Sequence, residues 1–517
     1  TAFNPFSISQ NSPAVINKIF VTTHRLGTAS LMLEDLKLYG NLWNLPAGPI
    51  AFAIGGEHRT EHETDQPDGL TASGQTTGSP NLLSTKGGRD VWSSYWEVRV
   101  PVTSPAWNCP GLYSLELGYQ ERYDNYSDFG STEKPKVFFR WQPIDSSLTL
   151  RGTYNEAFHA PAVYELYTSQ AQRAVLVDDP ATVLPGDPLK RPPGTPLTPP
   201  DTGIKGLIGG NPNLQPETAY EWTYGIVWTP AKFIKGLTLS ADFYHIDLRN
   251  VIVDRDANII LFNNWGGSTG TLPNGAPTGG PLSELIQRDP ITGAVLNVNA
   301  ALQNLSRVIT EGLDYEASYQ LDTSIFGRGT FGTFTFTFNG NYLARYVLQP
   351  SPAARKINFD NRFIGPRLGS LPRNRWYASV FYDLGGLDAG ATVHYIGQYW
   401  DADFVRKVRE WTTLDLIVNY TFNLPASAAQ NEVAGYARDG GKNTELKDGK
   451  GKNVMPVFTA EYNPCGWRAW LNNTTITLGM NNVFDQDPPF VSEENGYDPF
   501  TANIRGRTWY VALTKRF

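Results

Sequence analysis

The sequence predicts an all-β chain that crosses a membrane as an antiparallel barrel, and three observations predict it. Aromatic residues make up 13% of the 517 residues, with 14 Trp, 25 Tyr and 26 Phe, yet the mean hydropathy is -0.33. No stretch approaches the roughly 18 apolar residues that a spanning helix requires. Apolar and polar residues instead alternate over segments of about 9–11 residues, the length of a tilted spanning strand and longer than the average strand of a soluble sheet. A chain rich in aromatics but polar on average suits strands that face lipid on one side and a lumen on the other.

The alternation is clearest from Thr333. Phe334, Phe336, Phe338, Gly340, Tyr342, Ala344 and Tyr346 fall on one face, and Thr333, Thr335, Thr337, Asn339, Asn341 and Arg345 on the other, with Leu343 the misfit. Side chains alternate across a strand, so this is an apolar face backed by a polar one. Tyr220, Trp222, Tyr224, Ile226 and Trp228 oppose Glu221, Thr223 and Thr229 in the same way. Leu414, Leu416, Val418, Tyr420 and Phe422 oppose Thr413, Asp415, Asn419 and Thr421. Leu148, Leu150, Gly152 and Tyr154 oppose Thr149, Arg151, Thr153 and Asn155.

Extended along the chain, this pattern places about fifteen strands, near 29–41, 49–60, 90–101, 111–124, 135–142, 147–158, 218–229, 236–250, 306–321, 332–346, 374–384, 386–400, 409–423, 470–484 and 506–517. Short connections (143–146, 230–235, 385–386) alternate with long ones (168–217, 251–305, 347–373, 485–505). Barrels of this kind have short periplasmic turns and long outer loops. The connection 424–469 falls on the short-turn side but is long and rich in Gly and Lys.

The net charge of -7 and the pI of about 5.5 argue against a broad basic surface for nucleic acid. The two cysteines, Cys109 and Cys465, fit no metal spacing. The chain opens on Thr-Ala-Phe-Asn-Pro-Phe, without the basic and apolar regions of a signal peptide.

Several segments resemble the TonB-dependent receptor family: "NEAFHAPAVYELY" (155–167), "GNPNLQPET" (210–218), "MNNVFD" (480–485) and the aromatic C-terminal strand ending at Phe517. "FNPF" (3–6), "LPAGPIAFAIGGEHR" (45–59) and "ERYDNYSDFG" (121–130) are also similar to members with long barrels. His159 stands where the family commonly has Arg, Ala162 where it has Ser, and Lys515 where it has an aromatic. The resemblance implies a barrel of about 22 strands with a plugged lumen. Residues 1–517 are then expected to be the C-terminal portion of the barrel, with the plug and about seven strands lying upstream.

Other motifs have bland readings that outweigh sharp ones. Gly266-Gly267-Ser268-Thr269-Gly270 matches the nucleophile elbow of hydrolases, but it lies in a Gly/Asn/Pro-rich loop and not between a strand and a helix. His58 and His62, near Glu61, Glu63 and Asp65, lie about 13 Å apart along a strand and read as a solvated rim. The prolines at 180, 185, 188, 192, 193, 196, 199 and 200 read as a stiff, exposed loop. Lys442, Lys447, Lys450 and Lys452 read as a flexible, solvated turn. Trp265, Trp400, Phe490 and Tyr497 lie in or beside outer loops, where they can stack on a sugar, catechol or porphyrin-like ring, although exposed loop aromatics have many causes.

The resemblance implies transport, not catalysis. Outer loops capture a scarce solute, an iron chelate, cobalamin or oligosaccharide, and TonB moves the plug to admit it. The partners expected are outer-membrane lipid, TonB through the upstream plug, the outer-membrane assembly machinery and the small molecule itself, with no nucleic acid and no cofactor. Trp509, Val511, Leu513 and Phe517 share one face of the last strand and are expected to form an assembly signal, interrupted by Lys515. The competing expectations are a passive porin of about sixteen strands, with 12–24 as the extra strand, and a surface-exposed adhesive barrel.

Overall fold

The computed structural model describes residues 11–76, 83–177, 179–199, 202–253, 257, 260, 261, 264, 268, 270–280, 282–327, 331–349, 355–365, 369–401, 406–423, 436–439, 442–445, 470–492 and 496–516. The long strands of the principal sheet are β1 (Arg25–Leu45), β2 (Gly48–Pro67), β3 (Thr85–Thr103), β4 (Ser114–Tyr126), β5 (Gly130–Gln142), β6 (Leu148–His159), β7 (Glu217–Trp228), β8 (Leu237–Val253), β9 (Gln303–Asp322), β10 (Thr333–Gln349), β11 (Asn374–Leu384), β12 (Leu387–Ile396), β13 (Trp411–Phe422), β14 (Thr474–Asn481) and β15 (Thr508–Lys515). Every strand expected from the alternation is among them. None of the described helices is long and apolar enough to cross a membrane.

The chain divides into two compact units. Unit 1 comprises Thr1–Trp228, Ala241–Leu313 and Leu343–Asp360, and unit 2 comprises Thr229–Ser240, Asp314–Tyr342 and Asn361–Phe517. In unit 1 the strand order follows the sequence from β1 to β7, and in unit 2 from β10 to β15. Neighbouring strands within both runs pair antiparallel. Among the described residues β1 pairs with β2 alone, and β15 with β14 alone.

Register carries the alternation from strand to strand. In unit 2 one row runs Phe336, Val380, Ala391, Leu416, Met480, Trp509, and the next runs Phe334, Tyr382, Ala389, Val418, Leu478, Val511. The opposite face runs Thr333, Asp383, Asp388, Asn419, Thr477. In unit 1, Phe52, Val98, Tyr119, Val137, Tyr154 and Trp222 form an apolar row, and Ala53, Glu97, Gln120, Lys136, Asn155 and Glu221 the polar row behind it. Leu478, Val511 and Leu513 are 53%, 74% and 68% exposed. Such rows in water would cost about 1.5–3 kcal/mol per large side chain left unburied. They are surfaces made for lipid.

On the polar face, aromatics lie across glycines: Phe138 over Gly118, Phe381 over Gly390 and Tyr510 over Gly479. Each ring occupies the space a Cβ would need, so the glycine lets a large ring lie flat where the rows are otherwise polar. Gly385 has φ +63°, which closes the tight β11–β12 turn in a conformation that favours glycine.

Several expectations need correction. Residues 12–24 do not supply a strand: Pro13–Ile19 is a helix, with Pro at its start, where a missing N–H costs nothing. The segment 386–400 is not one strand. β12 ends at Ile396, and Tyr399–Trp400 pairs instead with Lys407–Val408. In unit 1, β1, β2 and β3 run well past their expected ends, because charge pairs replace the apolar alternation there. Leu343 is a misfit only in pattern, since it is buried. Of the connection 424–469, the described residues Tyr436–Asp439 and Lys442–Glu445 pair as a hairpin; Lys447, Lys450 and Lys452 lie outside the described residues.

Candidate ligand site in the outer loops

In unit 1 the loops 160–216 and 254–302 build a second sheet. Its strands stand in the order Ile286–Arg288, Val295–Asn299, Thr202–Ile208, Ala171–Val177. Val295–Asn299 runs parallel to Thr202–Ile208, with Asn297 opposite Lys205. Parallel pairing needs a long crossover, which is what loops of this length provide. Val177, Ile204, Ile260, Leu261, Leu282 and Val298 form its core. Arg288 Nη1 donates to Asp179 at 2.6 Å, and Thr198 Oγ1 adds a bond of 3.0 Å.

The proline segment is compact, not merely exposed. Ala181, Val183 and Leu197 are buried with Ala276, and Val183 N donates to Thr195 O at 2.8 Å. The prolines do not prevent this, because the donors are the residues between them. Arg191 Nη1 also donates to Thr292 O at 2.8 Å. Hydrogen bonds from Arg191 hold the Asp187 carboxyl down at about 2.

In unit 2 the loops 361–373, 397–410 and 482–507 gather around two buried carboxylates. Asp401 pairs with Arg406 and accepts from Ser492 N at 3.0 Å. Asp498 accepts from Ser370 N at 2.9 Å, Ser370 Oγ at 2.5 Å, Phe500 N at 2.9 Å and Thr501 Oγ1 at 3.0 Å. Phe363, Tyr399, Val408 and Val491 pack between them, and burial pushes the Tyr399 phenol up. A carboxylate accepts several bonds at once, so each one ties loops that have little apolar surface to bury.

Around this core sit aromatics beside cations. The Arg406 guanidinium lies 4.7 Å from the centre of the Phe490 ring, and Phe490 is 59% exposed. Lys407 Nζ lies 5.2 Å from the Trp400 ring. Tyr497, Phe500, Thr501 and Ile504 line a shallow hollow with Trp411, whose buried indole N–H has no hydrogen-bond partner among the described residues. Three aromatics expected from the sequence, Trp400, Phe490 and Tyr497, therefore belong to one loop cluster. Trp265 lies outside the described residues. Asp401, Asp498, Arg406 and Lys407 were missed, because single charges in loops carry no periodic signal.

The polar face of unit 1 carries a ladder of ion pairs. Arg59 meets Glu57 at 3.1 Å and Glu61 at 2.6 Å, Arg89 meets Glu61 at 2.7 Å, and Arg122 meets Asp124 at 2.8 Å. Glu61 is thus ion-paired, which corrects its reading as a solvated rim, and Asp65 is paired with Arg25. His58 points to the other face, where it stacks on Trp92 at 4.1 Å. Ser268 precedes a two-residue pairing of Gly270–Thr271 with Pro277–Thr278, while Gly266, Gly267 and Thr269 lie outside the described residues. Cys109 is exposed and bonded to no cysteine among the described residues; Cys465 lies outside the described residues. On β15, Trp509, Val511 and Leu513 share one exposed face. Lys515 donates to Asn472 O, a backbone carbonyl. Phe517 lies outside the described residues.

No curated protein matches the chain. The siderophore receptor PirA of Acinetobacter baumannii is similar in structure, with a TM-score of 0.52, 14% identity, and coverage of 95% of this chain and 55% of that one. A mutant of the ferric enterobactin receptor PfeA of Pseudomonas aeruginosa is similar to the same degree, with a TM-score of 0.52, 15% identity, and coverage of 95% and 54%. At such identities the likeness shows the fold alone. The chain spans about 55% of the length of these neighbours. A family model described as TonB dependent receptor-like, beta-barrel matches residues 5–438. With most of its length matched, the chain belongs to the TonB-dependent receptor-like β-barrel family, whose members are outer-membrane proteins of Gram-negative bacteria.

Proposed function

We propose that this chain supplies the solute-capturing loops of an outer-membrane active-transport receptor, and that its solute is an iron chelate. The observation that carries the reading is the loop cluster of unit 2. Arg406 over Phe490 and Lys407 over Trp400 put paired cation and ring surfaces on loops held by buried Asp401 and Asp498. An anionic, aromatic-rich chelate meets ring surfaces there together with the Lys407 ammonium, while Arg406 is engaged by Asp401 and Phe490. The similar structures are named as siderophore and ferric enterobactin receptors, which favours the same solute class. Import by TonB acting on a plug is part of the same proposal, and family membership supports it.

The test is binding of radiolabelled ferric siderophores, cobalamin and oligosaccharides to cells carrying the full-length receptor. Ferric catecholates are expected to bind, and Lys407→Ala to weaken them by roughly 2–5-fold, as loss of one cation–ring contact implies. Binding of cobalamin or a sugar instead, unaffected by that change, would discard the iron reading.

We further propose that β15 is read by the outer-membrane assembly machinery through Trp509, Val511, Leu513 and Phe517. Deleting Phe517 is expected to reduce insertion of the full-length protein while leaving ligand affinity unchanged in the fraction that inserts. Normal insertion and normal heat-modifiability of the deletion would show that β15 merely ends the sheet.

A further inference from the structure

On the polar face of unit 2 one row is apolar. Phe381, Gly390, Ile417, Gly479 and Tyr510 stand side by side on neighbouring strands. The rows on either side are polar: Ser379, Thr392 and Asp415 towards the outer loops, and Asp383, Asp388, Asn419 and Thr477 towards the short turns. In a barrel the polar face lines the lumen, so the row is a band of apolar surface in a wet wall. Two glycines make the band flush. The Phe381 ring fills the space that a Cβ on Gly390 would need, and the Tyr510 ring that of Gly479, with Ile417 standing between the two glycines. Glycine weakens a strand, and it often marks a place that another group approaches closely. Tyr510 is 41% exposed, and Phe381 and Ile417 are half-buried.

Three observations select the occupant. First, the band lacks the hollows in which a packed protein segment would seat its side chains, because each ring fills the one above its glycine. A flat aromatic group, by contrast, stacks on such ring faces without a fixed position. Second, Ile417 shares its face of β13 with Trp411, which borders the loop hollow roughly 20 Å further along the strand. Third, carboxylates flank the band. Asp388 accepts from Asn419 at 2.7 Å, and Asp415 meets His394 at 3.2 Å. An anionic chelate is thus attracted through its rings and repelled through its charge. Passage needs this balance, with contact strong enough to enter and weak enough to leave.

We propose that Phe381, Ile417 and Tyr510 form a stacking strip on the lumen wall, over which the aromatic rings of the solute pass from the outer loops towards the short-turn end. The strip rests on the iron-chelate reading and adds to it a site of transit, separate from the site of capture.

The test follows a radiolabelled ferric catecholate in cells carrying the full-length receptor. Surface binding is measured in de-energised cells and initial uptake in energised ones, both per receptor in the membrane. Phe381→Ala/Tyr510→Ala is expected to slow uptake by roughly 3–10-fold, as loss of ring contacts implies, and to leave binding unchanged. Phe381→Tyr and Tyr510→Phe keep a ring over each glycine and are expected to keep the uptake rate. Unchanged uptake in the double variant would overturn the strip while leaving the iron reading intact. A loss of binding large enough to account for the slower uptake would do the same, by moving the two rings into the capture site. Failure of the unaltered receptor to bind any ferric catecholate would remove the iron reading and the strip together. The occupant itself is read from Ile417→Cys in a Cys109→Ser/Cys465→Ser background. Its thiol is expected to react with a small maleimide in the purified resting receptor, and to react more slowly in cells that are taking up the chelate. A thiol already shielded at rest would overturn the strip by assigning the band to a protein segment packed against it.

Discussion

The outer loops of the two units solve the same problem by different means. Those of unit 1 bury Ile260, Leu261, Leu282 and Val298 in a core of their own beneath a small sheet, as a separate domain would. Those of unit 2 have a smaller apolar cluster and are tied by two carboxylates, Asp401 and Asp498, each accepting from more than one loop. Apolar burial is non-directional and tolerates sequence drift, whereas a carboxylate at the centre of several donors sets positions closely and fails abruptly when removed. The second arrangement leaves Phe490 and Phe500 exposed. The difference separates loops that cover from loops that can grip.

The largest expected effect comes from breaking the carboxylate tie. Asp498→Ala leaves the Ser370 N–H, Ser370 hydroxyl, Phe500 N–H and Thr501 hydroxyl without their acceptor, at about 1–3 kcal/mol for each donor that stays buried and unsatisfied. Hydrogen exchange across 369–373 and 498–504 should accelerate accordingly. Asp498→Asn should lose much less, since it keeps an acceptor oxygen, and equal losses for both would show that packing alone holds the cluster.

Unit 1 should respond to volume instead of charge. Leu261→Ala, at a fully buried position, is expected to destabilise the small sheet by about 2–5 kcal/mol. Exchange should rise in 202–208 and 295–299 and stay unchanged in the loops of unit 2. A rise in both would mean that the two sets of loops share one cooperative unit.

Between the loops and the sheet that bears them, the contrast is one of facing. Phe336→Arg should cost about 2–4 kcal/mol in a bilayer if that position lies near the midplane, and Thr335→Arg much less, because they stand on the apolar and polar rows. Reversible unfolding in lipid reads this directly, and the opposite ranking would invert the register.

The smallest effect is on pH. Arg191 holds Asp187 at about 2, below its ordinary 3.8, so this tie is complete above 3.8 and is lost as the pH falls through about 2. Proteolysis between 184 and 200 should therefore rise only near the bottom of that window. Arg191→Ala should remove the pH dependence, and a transition nearer neutrality would assign it to another group.

The strands were legible because their information is local. Phe334, Phe336 and Phe338 against Thr335 and Thr337 report two faces without reference to any other part of the chain, and each such row had its partner rows where register required. The first three strands were underestimated where Arg59, Glu61 and Arg89 take over from apolar residues, since ion pairs across strands have no period to detect. The candidate aromatics were legible as types in loops, but their company was not. Trp400 and Phe490 are joined through Arg406, Lys407 and Asp401, a relation between segments far apart in sequence.

By itself, then, the sequence determined the fold class, the long strands of the principal sheet and the two faces of those whose alternation was clearest, because alternation must be satisfied residue by residue wherever one side of a sheet is apolar. Only the tertiary structure decided what the long loops do. The parallel pairing of Asn297 with Lys205 and the gathering of four donors on Asp498 depend on contacts closed across many residues. Such closure is bought by a few well-placed bonds whose residues look ordinary until they meet.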